Sequence, residues 1–199
     1  MSESETNSAA SPRVARRRVE TRARLLSVAS RLFAQRSFAG VRLDEIADQA
    51  DVARGTLYSH FDSKEELLRA IVQPVLERAV DCLQRIPETL PARQAVDELL
   101  RTYLGLWRLG PDAMRLAHRF EGAPPRSLFA LHDVHVRHVV AILRRAAEAG
   151  LLRLGDPMLS ARIFATTAVP VLEIVSGSAQ AETLFLDAMG GLLLRPGLK

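Results

Sequence analysis

Arg54, Thr56, Tyr58, Ser59 and His60 place five hydrogen-bonding side chains within seven positions, with Gly55 among them. An arginine can read a guanine edge with two parallel hydrogen bonds, and hydroxyl and phenol groups can hold phosphate oxygens. Gly55 has no side chain, so the backbone there can approach a phosphate closely. A second cluster is electrostatic. Residues 13–24 contain six arginines and one acid, Glu20, a local +5 in a chain whose formal net charge is +4. Such an arm suits a polyanion, either nucleic acid or anionic lipid, or it is a solvated tail. A third cluster is His132, His135 and His138, spaced by three, with His118 upstream. Their directions spread over about 120°, wider than the i, i+4 pairing that metal sites favour, so no metal is expected. His118 and His135 could instead line a ligand pocket with Tyr103, Trp107, Met114 and Phe164, although core packing explains the apolar ones as well. Phe129 is a further candidate for such a pocket. No nucleophile motif, phosphate-cradling glycine loop or paired carboxylate arrangement is present, so neither a catalytic residue nor a cofactor is expected.

The elements that position these groups are helical. At 199 residues, 48% hydrophobic and 25% charged, the chain has the composition of an ordinary globule with a substantial core. No run of 18 uncharged apolar residues and no signal-peptide pattern occurs, so a cytoplasmic protein without a membrane span is expected. Cys82 is the single cysteine, which excludes an internal disulfide. Sustained period-2 alternation is absent, and apolar residues recur at helical spacing. Residues 1–12 read as a disordered tail. Leu25, Val28, Ala29, Leu32 and Phe33 mark a first helix over about 17–35. A second fits 43–50 and a third 54–60, joined by Asp51-Val52-Ala53. Ser63 and Glu66 form a capping box for a fourth helix that Pro74 should kink or interrupt. Further helices fit 91–108 and 111–120. A longer one opens at Pro124-Pro125 and ends at Gly150, and the last two cover 157–175 and 180–194. These last two are apolar on more than one face, which a partner subunit could cover. The whole is an all-α chain, with a helix-turn-helix unit over 13–74 and a ligand-binding and dimerisation body over 75–199.

Two short helices joined by a tight link, with another packed behind, form helix-turn-helix geometry, in which the second helix enters the major groove. The residues Thr21-Arg-x-Arg-Leu-Leu, Leu43-Asp-Glu-Ile-Ala-Asp and Arg54-Gly-Thr-Leu-Tyr-Ser-His-Phe-Asp-Ser-Lys-Glu-Glu-Leu-Leu68 resemble the DNA-binding domain of the TetR family of bacterial transcriptional regulators. The resemblance implies that Arg54, Gly55 and Thr56 touch bases or phosphates, and that Tyr58, Ser59, His60 and Lys64 clamp phosphates. It implies a homodimer on a palindromic double-stranded operator, most simply a repressor released by a small apolar or amphipathic effector. Arg16, Arg17 and Arg18 of the arm are expected to contact the DNA as well; an activator, a helical small-molecule-binding protein or enzyme, and a membrane-surface protein using the arm alone are the alternatives.

The chain departs from the family pattern in the helix-turn-helix itself. Arg42 stands where Ser or Thr usually caps the second helix, so Asp44 or a water is expected to cap it and Arg42 to reach a phosphate. The link carries Asp51 and Ala53 in place of the usual Gly and Ser, which removes a cap worth about 1 kcal/mol.

Overall fold

The computed structural model describes residues 11–36, 38–119 and 126–197, and among them the chain is helical. The order is α1 (Pro12–Gln35), α2 (Leu43–Gln49), α3 (Arg54–Tyr58), α4 (Lys64–Gln84), α5 (Ala92–Leu109), α6 (Pro111–Arg119), α7 (Phe129–Glu148), α8 (Pro157–Val175) and α9 (Ala181–Leu193). The expected tail lies outside the described residues as far as residue 10. Its last residue, Pro12, opens α1 at a position where a missing N–H costs nothing. The proline pair expected to open the long helix also lies outside the described residues. A 3-10 turn at Arg126–Leu128 leads into α7 instead.

Two compact units divide between Leu67 and Leu68, so α4 begins in the first and continues through the second. In the first unit the apolar stripe of α1 is buried with Ile46 and Ala47 of α2, Leu57 of α3, and Phe61 and Leu67. Val52, expected to lock the helix pair, is only half-buried. The link turns at Asp51, whose φ of 50° lies in the left-handed region. An Asp tolerates that conformation better than most residues, which is how the chain dispenses with the usual glycine. Ser63 caps α4 through the Glu66 amide (3.0 Å), while the Glu66 carboxylate takes the Asp62 N–H (2.6 Å). The box thus closes one residue earlier than its usual form.

In the second unit α5 packs against α6, α7, α8 and α9. Leu99, Leu100, Leu143, Phe164, Leu172, Phe185 and Met189 form the centre of its core. Gly150 ends α7 with φ 71°, as a residue just past a helix often must. After α9 the chain returns along the α7–α8 connection, with Arg153 N–H donating to Leu193 O and Arg195 N–H to Leu151 O. Neither Pro74 nor Pro170 ends its helix. This corrects the expected interruption of α4: Pro74 removes one hydrogen bond, but Ile71, Val72, Leu76, Val80 and Leu83 are buried on both sides of it. By length and mean hydropathy (1.5), α8 is the one helix among the described residues apolar enough to cross a membrane. It carries Arg162 and Glu173 and packs on α7 and α9.

Asp156 starts α8, its Oδ1 accepting from the amides of Met158 (2.8 Å) and Leu159 (3.1 Å). Asp156→Ala is expected to lower stability by about 1 kcal/mol through these two orphaned donors. Urea unfolding checks this, and an unchanged midpoint would show that water replaces the cap.

Candidate nucleic-acid interface and ligand cavity

Helix α3 projects its polar residues from a base fixed by Leu57, which is fully buried. Arg54, Gly55, Tyr58 and Ser59 are exposed, and Thr56 and His60 are half-buried. Asp44 does not cap α2, nor does any other side chain. Its carboxylate points across the turn, with Oδ1 2.9 Å from Arg54 Nε and Oδ2 3.6 Å from Arg42 Nη2. The Arg54 guanidinium also lies 5.6 Å from the centre of the Tyr58 ring. Hydrogen bonding by Tyr58, and then the charge of Asp44, raise its pKa above the usual guanidinium value. Asp44 Oδ1 is an ion-pair neighbour of Nε without a hydrogen bond to it, and the Nη pair is the part of the guanidinium that could reach a base edge, the fork geometry that reads guanine. A Cβ on Gly55 would meet nothing within 4 Å. The packing of the chain itself therefore does not require a glycine there.

The basic arm is not a tail ahead of the domain but the opening turns of α1. Arg16 and Arg17 are exposed, with Arg16 beside Glu20 at 3.5 Å. Arg18 and Arg22, one turn apart on one face, turn inward to the end of α3. Arg18 Nη2 donates to Ser59 O (3.4 Å) and Arg22 Nη1 to His60 O (3.1 Å). Carbonyls at a helix C-terminus are the negative end of its dipole, so two guanidiniums there hold a five-residue helix that has few bonds of its own. Arg22 also lies over the Phe61 ring at 4.3 Å. Sequence reasoning missed this clamp, although the i, i+4 spacing of Arg18 and Arg22 was a usable signal. Burial, then Arg18 and Arg22, hold His60 below the usual imidazole pKa. Lys64 is similarly engaged: Nζ donates to Val41 O (2.7 Å) and Ala39 O (3.4 Å) and lies 4.5 Å from the Phe38 ring centre. It pins the α1–α2 connection and would reach phosphate only from that position.

In the second unit, Tyr103, His135 and Phe164 line a cavity of about 260 Å³ together with Arg162, His132 and Met158. A smaller cavity of about 50 Å³ shares Tyr103 and His135 and is bordered by Met114 and His118. Trp107, expected with this group, lines a different cavity beside Pro111 and Leu172, with the Arg115 guanidinium 4.8 Å from its ring centre. Phe129 is 47% exposed at the start of α7 and lines neither of the first two cavities. Helical spacing shows which face is apolar but not which neighbour it meets. Among the described residues no group of three or more His, Cys, Asp or Glu could hold a metal.

Residues 25–71 match the family model described as bacterial regulatory proteins, tetR family. The HTH-type transcriptional regulator RutR of Escherichia coli K12 is 30% identical over 178 residues, 82% of each chain. The HTH-type transcriptional repressor KstR2 of Rhodococcus jostii is 30% identical over 121 residues, 60% of this chain and 52% of that one. The crystal structure of the probable transcriptional regulatory protein RHA5900 superposes with a TM-score of 0.73 at 25% identity, covering 86% of this chain and 96% of that one. The chain belongs to the TetR family of transcriptional regulators. It is a sequence-specific DNA-binding regulator and not an enzyme.

Proposed function

We propose that the chain acts as a homodimeric repressor that holds a palindromic operator and releases it when a small apolar or amphipathic ligand binds its second unit. The observation that carries this reading is an exposed apolar stripe along α8 and α9. Leu159 (42% exposed), Ile174 (82%), Leu184 (42%) and Leu192 (37%) stand on it, with Ile163 and Pro170 half-buried between them. Large apolar side chains in such a row favour a second copy of the same surface, and a two-fold dimer matches the symmetry of paired half-sites. In this reading residues 13–74 are the DNA-binding head and residues 75–199 the ligand and dimerisation body. The Arg42, Arg54, Thr56, Tyr58 and Ser59 side chains face the duplex, with Gly55 allowing close approach of the backbone. Arg16 and Arg17 add charge along α1. KstR2, a repressor by name, supports the sign.

Helix α4 is continuous from head residues into the body, which gives ligand binding a covalent route to the DNA-binding helices. A coupling of about 1–3 kcal/mol would change operator affinity some 5–150-fold, and DNA would weaken the ligand by the same factor.

Light scattering should give twice the chain mass, and the double variant Ile174→Glu/Leu184→Glu should run as a folded monomer with weakened operator binding. Leu186 is a poor target because it is half-buried against the body's own core. A wild-type monomer, or a double variant that stays dimeric, would refute the interface. A reporter gene silenced by the wild-type chain and restored by the monomeric variant tests the sign.

A further inference from the structure

The cavity bounded by α5, α7 and α8 has a chemical asymmetry. Its walls are apolar where Val136, Val139 and Phe164 line it, and Phe164 meets Tyr103 edge-on with ring centres 4.5 Å apart. Two polar features interrupt that lining. The first is the pair Tyr103 Oη and His135 Nε2, 2.7 Å apart. His135 is 9% exposed, and its other ring nitrogen, Nδ1, is buried without a partner. A buried nitrogen left unsatisfied is costly. Desolvation, then His132 and His138, keep this ring uncharged at neutral pH. The second feature is Arg162, exposed at the edge of the cavity and without an ion pair among the described residues. No Asp or Glu lines this cavity or the smaller one that shares Tyr103 and His135.

We propose that this cavity binds a small carboxylate with an apolar body, its charge on Arg162 and its body against Val136, Val139 and Phe164. The inference rests on the reading of the chain as a ligand-released regulator and deepens it by naming the class of effector. Three physical points select that class. Arg162 offers a guanidinium fork that matches a carboxylate in two parallel bonds. A cationic ligand would find arginine, histidine and a tyrosine in the lining but no carboxylate, and so no counter-charge. A volume of about 260 Å³ lies below the roughly 300 Å³ at which sites for drug-sized ligands begin, so the body is small. The Tyr103–His135 pair, with Oη and Nε2 2.7 Å apart, is the uncharged polar part of the same lining.

The test uses the full chain, titrated by calorimetry and followed by thermal unfolding. The probes are benzoate, 4-hydroxybenzoate and octanoate as carboxylates, benzamide and benzyl alcohol as neutral analogues, and benzylammonium as the cation. Carboxylates should bind about tenfold or more tightly than the neutral and cationic probes and raise Tm. Arg162→Gln, at an exposed position that tolerates the change, should remove that preference while leaving benzamide binding unaltered, and Arg162→Lys should retain part of it. Equal binding of benzylammonium, undiminished carboxylate binding by Arg162→Gln, or no binding of any carboxylate at millimolar concentration would overturn the proposal. Operator release is measured in parallel. Carboxylate binding without release leaves this site standing and refutes ligand release, whereas release by the neutral or cationic probes alone does the reverse.

Discussion

Replacing Arg54 by Ala should cost a dimer about 2–6 kcal/mol of operator affinity, because each of two half-sites loses a base contact worth about 1–3 kcal/mol. The loss should concentrate at one base position per half-site and leave binding to unrelated DNA much less affected. Arg54 is prepared for that contact in the free protein. Asp44 Oδ1 stands 2.9 Å from its Nε as an ion pair, and the Tyr58 ring lies beneath the guanidinium. The side chain therefore sacrifices less rotamer freedom on docking than an unrestrained arginine. Fluorescence anisotropy against an operator and its single-base variants reads the result. A uniform weakening on every sequence would make Arg54 a phosphate contact, and an unchanged affinity would remove it from the interface.

The body should lose about 3 kcal/mol of stability as the pH falls from about 6.5 to about 4. His135 is the cause. Its buried imidazole, beside His132 and His138, is lowered to about 4. In the unfolded chain the ring takes a proton near the ordinary 6.5. Between those two values the unfolded state binds a proton that the folded state refuses, so unfolding gains about 1.4 kcal/mol for each pH unit of acidification. The stability is fully present above about 6.5 and is lost on the way down to about 4. Urea unfolding followed by circular dichroism at several pH values measures it, and His135→Gln should flatten the slope even if it lowers the plateau. A slope that survives in His135→Gln would place the proton elsewhere.

What could be read along the chain was mostly local. The Ser63 box, the Asp156 cap and the Gly150 terminus depend on residues within four positions, and each sits where a helix boundary needs it. The apolar stripes of α1 and α7 follow directly from period. What escaped were contacts between positions far apart in the chain. Asp44 reads as a cap because it stands at the head of α2, yet its carboxylate finds Arg54 ten residues on. Lys64 is expected from the resemblance to clamp phosphate, and its donation to Val41, 23 residues back, is not legible from its neighbours in the chain. Trp107 and Met114 belong to one apolar set by composition, and the turn into α6 sends them to different cavities. At Pro74 a local rule allows either a kink or an interruption, and the helix runs on through it with buried residues on both sides. In the DNA-binding helices the letters were more informative than the pattern, since a short helical hairpin alone would not single out α3.

Trp107 has a practical consequence. It is the only tryptophan in the chain, is 6% exposed, and lies beneath an arginine that is itself fixed by Asp112 (2.7 Å) and Glu173 (2.6 Å). The helix-turn-helix unit contains no indole at all. Excited at the red edge of the near ultraviolet, the molecule is thus a single-site optical probe confined to its second unit. Its emission maximum reports the local state of α5, α6 and α8 without labelling. Dichroism, by contrast, sums every helix. If the two signals melt together, the units unfold as one cooperative body; if dichroism falls first, the first unit opens while the second remains intact.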